Sequence, residues 1–284
     1  LDRDEMRELL GQPDAGWIGA LHTPTDLKAE PWVAVPELAR LARAEGARIS
    51  EACAVRSLLR ENSRVVGVMT EDGPIRAPRV ILAGGAWSSL FLRRHGVSIP
   101  QLSVRSTALA TGPLPQVVGT AGVDDRIAFR PREDGGYTLA PAAFSELPLG
   151  PDAIRHMGWY LRLAAMGDFE TYLRRPAPRG YPDAFSTLRF WRADEESPFE
   201  RMRVLNPEPN LEKVTELKRR FQSVWPALGK VDHVKAWAGM IDVMPDVVPV
   251  VDKVKGHPGL VVATGMSGHG FGAGPAFGKI ALDL

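Results

Sequence analysis

Residues 255–284 read KGHPGLVVATGMSGHGFGAGPAFGKIALDL, and this stretch decides the fold. The apolar run 260–263 follows the turn signal His257-Pro258-Gly259 and is rich in β-branched residues, which predicts a buried strand. Five glycines lie between positions 265 and 274. Pro275 then fits the first turn of a helix, because apolar residues recur after it at helical spacing. The stretch therefore predicts a strand, a glycine-rich bend and a helix in direct succession.

Such a succession can hold the anionic or carbonyl edge of a flat cofactor. The first turn of a helix carries N–H groups without partners and a partial positive charge, and glycines let a ligand approach the backbone closely. A tightly packed turn that binds no ligand gives the same pattern. The bend alone leaves both interpretations open.

A second informative stretch is RVILAGGAWSS at 79–89. Its apolar strand runs into Gly84-Gly85 and then into a helix that begins with Ser88 or Ser89. An uninterrupted apolar strand followed by a helix is typical of a parallel sheet covered on both faces. Taken alone, the double glycine is also compatible with an ordinary strand-to-helix turn.

The remaining pattern predicts helices and one antiparallel hairpin. Apolar spacing and capping residues predict helices over 36–46, 151–175 and 210–227, and a glycine turn predicts a hairpin over 127–140. Antiparallel strands in this region indicate a second domain.

Three segments in the same order along the chain resemble one family. LAGGAWSS at 82–89, WAGMIDVMPDVVPVVD at 237–252 and SGHGFGAGPAFGKIALDL at 267–284 resemble the D-amino-acid oxidase-like family of FAD enzymes, which includes glycine oxidase, sarcosine oxidase and D-amino-acid dehydrogenases. The resemblance implies an α/β plus α+β fold, in which a Rossmann-like FAD-binding domain with a partly parallel sheet is interleaved with an antiparallel-sheet substrate domain. Residues 1–98 and 237–284 would form the FAD-binding domain, and 99–236 the substrate domain.

The same resemblance implies which residues contact FAD. Val55 would pair with the adenine, and the segment around Gly84 would close over the diphosphate and ribose. The bend after the last strand would lie at the pyrimidine edge of the flavin. The expected cofactor-binding residues are Val55, Ala83, Gly84, Gly85, Trp87, Gly239, Gly265, Ser267, Gly268, His269, Gly270 and Phe271.

Two residues are candidates for a catalytic role. His269 lies in the flavin bend and could stabilise reduced flavin, although a histidine that caps the backbone is an equal alternative. Asp242 is the second candidate, because it follows the position at which amino-acid oxidases of the family carry an arginine for the substrate carboxylate. That position is Ile241 here.

The sequence therefore does not decide which residues bind the substrate. Arg105, Arg130 and Arg189 are candidates for the missing carboxylate clamp, because arginine pairs with carboxylates through two parallel hydrogen bonds. Alternatively, the substrate is an amine whose carboxylate is absent or is bound elsewhere.

The sequence also departs from the family at its beginning. The family's FAD domain opens with a strand and G-x-G-x-x-G, whose helix N-terminus binds the diphosphate. Nothing in residues 1–60 matches that pattern. We therefore expect a member of the family without its N-terminal unit.

Composition limits the other functional classes. The 35 Lys and Arg balance the 34 Asp and Glu, so no basic field favours nucleic acid, and the single Cys53 excludes an internal disulfide or a cysteine-cluster metal site. No apolar run is long enough to span a bilayer. These features predict a cytoplasmic location, or one peripheral to the membrane.

The predicted function is FAD-dependent oxidation of the C–N bond of an amino acid or amine to an imine. Oxygen, or a quinone or electron-transfer partner, would accept the electrons, and homo- and hetero-oligomers both remain open. The main alternative is a non-catalytic subunit or scaffold with the same fold. A nicotinamide-dependent dehydrogenase is a weaker alternative, because no dinucleotide fingerprint is present.

Overall fold

The computed structural model describes residues 1–142, 145–165, 171–174 and 176–284. The chain divides into two compact units. The first unit comprises Leu1–Ile49, Ser106–Phe144 and Asn206–Gly239. The second comprises Ser50–Arg105, Ser145–Leu205 and Met240–Leu284. The functional division into 1–98, 99–236 and 237–284 stays a prediction.

The described residues contain both helices and strands. The helices are α1 (Arg3–Leu9), α2 (Pro31–Ala44), α3 (Ser88–Arg94), α4 (Pro151–Ala165), α5 (Pro198–Arg201), α6 (Leu211–Val224) and α7 (Gly270–Asp283). The strands are β1 (Val55–Glu61), β2 (Arg64–Thr70), β3 (Gly73–Arg76), β4 (Val80–Leu82), β5 (Leu102–Thr111), β6 (Gly122–Val123), β7 (Ile127–Pro131), β8 (Tyr137–Pro141), β9 (Ser145–Pro148), β10 (Thr171–Arg174), β11 (His233–Val243), β12 (Val250–Lys253) and β13 (Leu260–Thr264).

The first unit is built on antiparallel strands. β6 pairs with β7, β7 with β8, and β8 with β5. Because side chains alternate along a strand, Phe129 and Leu139 face a core that α6 completes with Phe221. The predicted hairpin is confirmed, and Asn210 caps α6 by accepting from the N–H groups of Glu212 and Lys213. This sheet has a second face, on which Arg130 lies opposite Thr138.

The second unit contains two small sheets. β1, β2 and β3 form an antiparallel meander. β4, β13 and β12 form the other sheet, in which Leu260 pairs with Val80 in the parallel sense. The apolar strand before Gly84 thus lies in a parallel pair, as its pattern predicts, and this pairing brings both glycine bends to the carboxyl ends of neighbouring strands.

Two predicted helix starts are wrong. α7 begins at Gly270, so Pro275 lies inside the helix instead of in its first turn. α2 begins at Pro31, which takes the first helical position, and Pro36 is internal. Each internal proline removes one backbone hydrogen bond, and the helix continues past it in both cases.

The predicted helix over 151–175 is shorter in the structure. α4 ends at Ala165, and Thr171–Arg174 is strand β10, which pairs in parallel with β9. The edge of β9 offers backbone partners that outweigh the helical pattern at 171–174. Positions 166–170 and 175 lie outside the described residues. Within the described ranges, no helix is long and apolar enough to cross a membrane.

Candidate cofactor site

A cleft of about 500 Å³ lies in the second unit, at the carboxyl ends of β4 and β13. It receives residues from both glycine bends, from the end of β11 and from one side of α7. The lining residues are Ile81, Ala83, Gly85, Met240, Ile241, Asp242, Ala263, Met266, Gly268, Gly270, Gly274, Phe277, Gly278 and Ala281. The walls are therefore mostly apolar or bare backbone, as in sites for flat cofactors.

Three glycines of the cleft have open space where a side chain would stand. A Cβ atom built on Gly85, Gly274 or Gly278 would meet no atom within 4 Å. A glycine inside a helix costs roughly 1 kcal/mol relative to alanine, so Gly274 and Gly278 reduce the intrinsic stability of α7. These glycines leave open space along the side of α7 that faces the cleft.

Among the glycines of the second bend, Gly265 leaves the least room for a side chain. Gly265 has a φ of +74°, and a Cβ there would lie 2.3 Å from Met244 Cγ. Its positive φ and this close approach fix the chain direction just after β13. Gly265 therefore shapes the bend and does not line the cleft.

The carboxylate of Asp242 holds the same bend in place. Its Oδ2 accepts from the N–H of Gly265 at 2.7 Å and from the N–H of Met266 at 3.4 Å. The Asp242 carbonyl accepts from the N–H of Ser267 at 2.9 Å, and Ser267 Oγ accepts from the N–H of Met244 at 3.3 Å. Asp242 is 9% exposed, so these bonds are shielded from water. The residue positions the bend, and its catalytic role stays a prediction.

Two buried side chains that the sequence did not single out join the two bends. Gln101 Nε2 donates to the Gly85 carbonyl at 2.9 Å, and the Thr264 hydroxyl donates to Gln101 Oε1 at 2.8 Å. Gln101 and Thr264 are each 1% exposed. This chain of bonds fixes the spacing between the bends. No local sequence pattern marks Gln101, because its role depends on partners far away in the chain.

His269 is exposed and precedes the first residue of α7. Its side chain makes no capping hydrogen bond, while its backbone N–H donates to the Met266 carbonyl at 2.8 Å. The alternative of a backbone-capping side chain is therefore wrong. The role in stabilising reduced flavin stays a prediction.

The other predicted cofactor residues are distributed unevenly. Ala83, Gly85, Gly268 and Gly270 line the cleft. Ser267 shapes the bend, Phe271 is half-exposed in the first turn of α7, and Gly84 precedes the short helical turn Gly85–Trp87. Trp87 packs edge to face on Phe199 at 5.3 Å, and Val55 opens β1. Gly239 belongs to the first unit. The cleft lining does not include Val55, Gly84, Trp87, Gly239, Ser267 or Phe271.

The three candidate arginines are each paired with a carboxylate. Arg105 Nη2 lies 2.6 Å from Glu146, and Arg189 Nη2 lies 3.0 Å from Asp183. Asp183 also accepts from the N–H groups of Asp152 and Ala153, so Arg189 supports the start of α4. Burial raises the pKa of Asp183.

Arg130 lies in the first unit and forms a two-pronged pair with Glu30, with both N–O distances at 2.9 Å. These hydrogen bonds hold the pKa of Glu30 below its usual value. Ile241 lines the cleft of the second unit with an apolar side chain, so it offers no hydrogen bond to a carboxylate. The substrate roles of these residues stay predictions.

Comparison with known proteins matches this geometry to a family. The model of the FAD dependent oxidoreductase family DAO matches residues 1–284. The chain is 28% identical over 265 residues to 4-methylaminobutanoate oxidase (formaldehyde-forming) of Paenarthrobacter nicotinovorans. The alignment covers 93% of this chain and 27% of that protein. It is 27% identical over 258 residues to glycine oxidase of Pseudomonas aeruginosa, covering 88% and 54% of the two proteins.

A solved structure supports the same family assignment. L-amino acid deaminase from Proteus vulgaris superimposes with a TM-score of 0.87 at 27% identity, covering 100% of this chain and 65% of that chain. The chain thus spans less than two thirds of the length of each of these relatives. The predicted fold class is confirmed, since both parallel and antiparallel sheets are present in the arrangement of these enzymes. The chain belongs to the DAO family of FAD-dependent oxidoreductases.

Proposed function

We propose that this protein uses FAD to oxidise the C–N bond of an amino acid or amine to an imine, which water then hydrolyses. The observation that carries the proposal is the glycine-lined cleft at the start of α7. The relatives support the reaction class, because their names describe an amine oxidase, a glycine oxidase and an amino acid deaminase.

Residues of both bends would hold the flavin. Gly85 and Gly268 let a flat ring approach the backbone, and Gly274 and Gly278 leave room along α7. The first N–H groups of α7 point away from the helix without intrahelical partners and favour negative charge. When bound, FAD supplies the acceptor for a hydride equivalent.

The cleft is suited to a reaction that needs no protein base. Among the lining residues that the structure describes, Asp242 is the one ionisable side chain, and its Oδ2 already accepts two backbone hydrogen bonds. A substrate ammonium that loses its proton to water can donate hydride without further help. The residues of the cleft then contribute orientation and exclusion of water.

The electron acceptor is proposed to be oxygen or a quinone or electron-transfer partner. Anaerobically reduced protein can be mixed with either acceptor while flavin absorbance is followed. If flavin absorbance returns quickly on mixing with oxygen, the protein is an oxidase. If it returns with a quinone alone, the protein is a dehydrogenase.

The function itself is tested with the full-length protein. We expect a flavin absorption spectrum that is bleached, without air, by one class among D-amino acids, L-amino acids, N-methyl amino acids and simple amines. A colourless protein that cannot be reconstituted with FAD would overturn the proposal and leave the non-catalytic scaffold.

A further inference from the structure

Gln101 joins the two bends of the cofactor cleft without lining the cleft itself. Its Nε2 donates to the Gly85 carbonyl at 2.9 Å, and its Oε1 accepts from the Thr264 hydroxyl at 2.8 Å. Gln101 and Thr264 are each 1% exposed, and neither belongs to the cleft wall. All three residues lie in the second unit. Because the site is closed to water, water cannot replace either bond once the carboxamide is removed.

The two partners fix the orientation of the Gln101 carboxamide. The Gly85 carbonyl can only accept a hydrogen bond, so it must face Nε2. The Thr264 hydroxyl then faces Oε1 and donates to it. Rotating the carboxamide by half a turn would place two oxygen atoms within hydrogen-bond distance and would lose the first bond. The side chain therefore makes both bonds in one orientation only.

The Thr264 hydroxyl has one proton and three acceptors within reach. Gln101 Oε1 lies at 2.8 Å, Asp242 Oδ2 at 3.1 Å and the Gly85 carbonyl at 3.4 Å. The bond to Gln101 is the shortest, so the other two acceptors depend on other donors. Gly85 accepts from the Gln101 carboxamide, and Asp242 accepts from the N–H of Gly265. Gln101 thus completes the hydrogen bonding of both bends.

Tyr160 of α4 holds the backbone on both sides of this network. Its hydroxyl oxygen lies 2.8 Å from the Pro100 carbonyl oxygen and 2.7 Å from the Val243 carbonyl oxygen. Pro100 precedes Gln101 in the chain, and Val243 follows Asp242. The residues that contact the two bends are therefore tied to each other through a third element.

We propose that Gln101 is a positioning residue that holds the two bends at the spacing that FAD needs, so that the cleft is formed before the cofactor binds. A site that is ordered in advance binds more tightly, because the ligand does not have to order it. The inference rests on the FAD-dependent function proposed above and names a residue that sets its cofactor affinity from outside the cleft.

The test measures FAD affinity by calorimetry on the full-length, FAD-free protein. Gln101→Met keeps the length of the side chain but makes neither bond, so it should bind FAD about tenfold more weakly. Thr264→Val keeps the shape and loses the hydroxyl, and it provides a second test if Gln101→Met is poorly folded. It should weaken binding by a similar factor. The double variant should lose less than the product of the two factors, because both changes remove the same bond.

Gln101→Glu separates hydrogen bonding from shape. A protonated carboxyl group reproduces both bonds, since its O–H can donate to the Gly85 carbonyl and its other oxygen can accept from the Thr264 hydroxyl. An ionised carboxylate only accepts, so it loses the first bond and faces the Gly85 oxygen without a proton between them. The FAD affinity of this variant should therefore depend on pH.

The surroundings determine the pH range of this effect. Asp242 is the charged group on the cleft side of the network. A small cavity that Gln101 also lines has two carboxylates in its wall, and each is paired with an arginine; these four groups are Asp152, Asp183, Arg93 and Arg189. Burial and the Asp242 charge raise the pKa of the introduced carboxyl group. Gln101→Glu should bind FAD at least about tenfold more weakly than the unmodified protein at about pH 9, and nearly as tightly at about pH 6.

Gln116→Met is the matched control. Gln116 Nε2 also donates to a glycine carbonyl, that of Gly135, at 3.0 Å, but it is exposed and lies in the first unit. Water can replace this bond, so the variant should bind FAD as the unmodified protein does at each pH.

Unchanged FAD affinity in well-folded Gln101→Met and Thr264→Val would overturn the inference. A loss of affinity in Gln101→Glu that does not recover at the lower pH would contradict the two-bond arrangement and overturn it as well. A protein that binds no FAD loses the proposed function together with the inference. One that binds FAD but passes none of these tests loses the inference alone, and one that passes them without oxidising any amine loses the proposed function alone.

Discussion

Asp242 determines the shape of the bend that follows β13. Its buried carboxylate accepts from the N–H groups of Gly265 and Met266, and its carbonyl accepts from that of Ser267. An exposed loop can exchange such bonds for bonds to water, but a buried donor left without an acceptor cannot. Cofactor affinity should therefore depend on Asp242 through the shape of this bend.

The first prediction follows from these bonds. Asp242→Ala should lower the free energy of unfolding by about 2 to 4 kcal/mol, because buried N–H groups lose their acceptor. It should also weaken FAD binding. Asp246→Ala is the control, because Asp246 accepts from the N–H of Val248 in an exposed turn, where water can replace the lost acceptor. It should change both quantities much less. Thermal unfolding and FAD titration measure both effects. Equal behaviour of the two variants would contradict the positioning role.

The second prediction concerns His95. Burial lowers its pKa from 6.5 to about 4, and the charge of Arg94 acts in the same direction. Its Nε2 accepts from the N–H of Leu58 at 3.3 Å, which requires the neutral ring. In the unfolded chain His95 binds a proton below about pH 6.5, whereas in the folded protein it does so only below about pH 4. The free energy of unfolding should therefore fall through this window, by up to about 3 kcal/mol, and this contribution should level off below it.

Comparison with His95→Gln isolates this contribution from the carboxylates that titrate in the same range. The stability difference between the unmodified protein and His95→Gln should shift as the pH falls from 7 to about 4. His22→Gln, at an exposed histidine, should leave the pH dependence unchanged. Denaturant unfolding at a series of pH values measures the effect. Parallel curves for all three proteins would rule out His95 as the cause.

Residue roles were only partly predictable from the sequence. Gly85, Gly268 and Gly270 could be placed in the cleft, because glycine spacing and helix starts are local signals. Gln101 could not, since its two partners lie in separate bends. The pairing of Arg130 with Glu30 joins residues 100 positions apart, and no pattern in either segment indicates it.

The elements were more predictable than their ends. Apolar runs identified β4 and β13, which form a parallel pair. β13 is mostly buried, whereas Ile81 in the middle of β4 is 48% exposed. The predicted starts of α2 and α7 were wrong because each prediction put a proline in the first turn. A helix can continue through an internal proline when its other contacts offset the lost hydrogen bond. The segment 171–174 was missed as a strand, since its partner β9 is supplied by tertiary structure.

The third prediction concerns α7 as an element. Gly272 and Gly274 are both helical, and a Cβ on either meets no atom within 4 Å, but Gly274 alone lines the cleft. Replacing either by alanine should raise the stability of the FAD-free protein by up to about 1 kcal/mol. Leucine at 274 should weaken FAD binding strongly, while leucine at 272 should not. Equal loss of FAD affinity in both leucine variants would show that the cleft is not the flavin site.

At the scale of the whole molecule, removing FAD should affect local stability in one unit more than in the other, because of where the cleft lies. All of its lining residues belong to the second unit. A ligand that binds only the folded state stabilises it by about 2.7 kcal/mol at a concentration 100 times its dissociation constant. That stabilisation acts first on the segments that contact the ligand.

We therefore predict that removing FAD accelerates amide hydrogen exchange in the bends at 83–88 and 264–274. Exchange in the β7–β8 hairpin of the first unit, whose core packs on α6, should stay nearly constant and serves as the internal control. Hydrogen exchange with mass spectrometry on the FAD-loaded and FAD-free protein measures both regions in one experiment. A change confined to the hairpin would place the flavin outside the cleft, and an equal change everywhere would mean that FAD stabilises the molecule only through global unfolding.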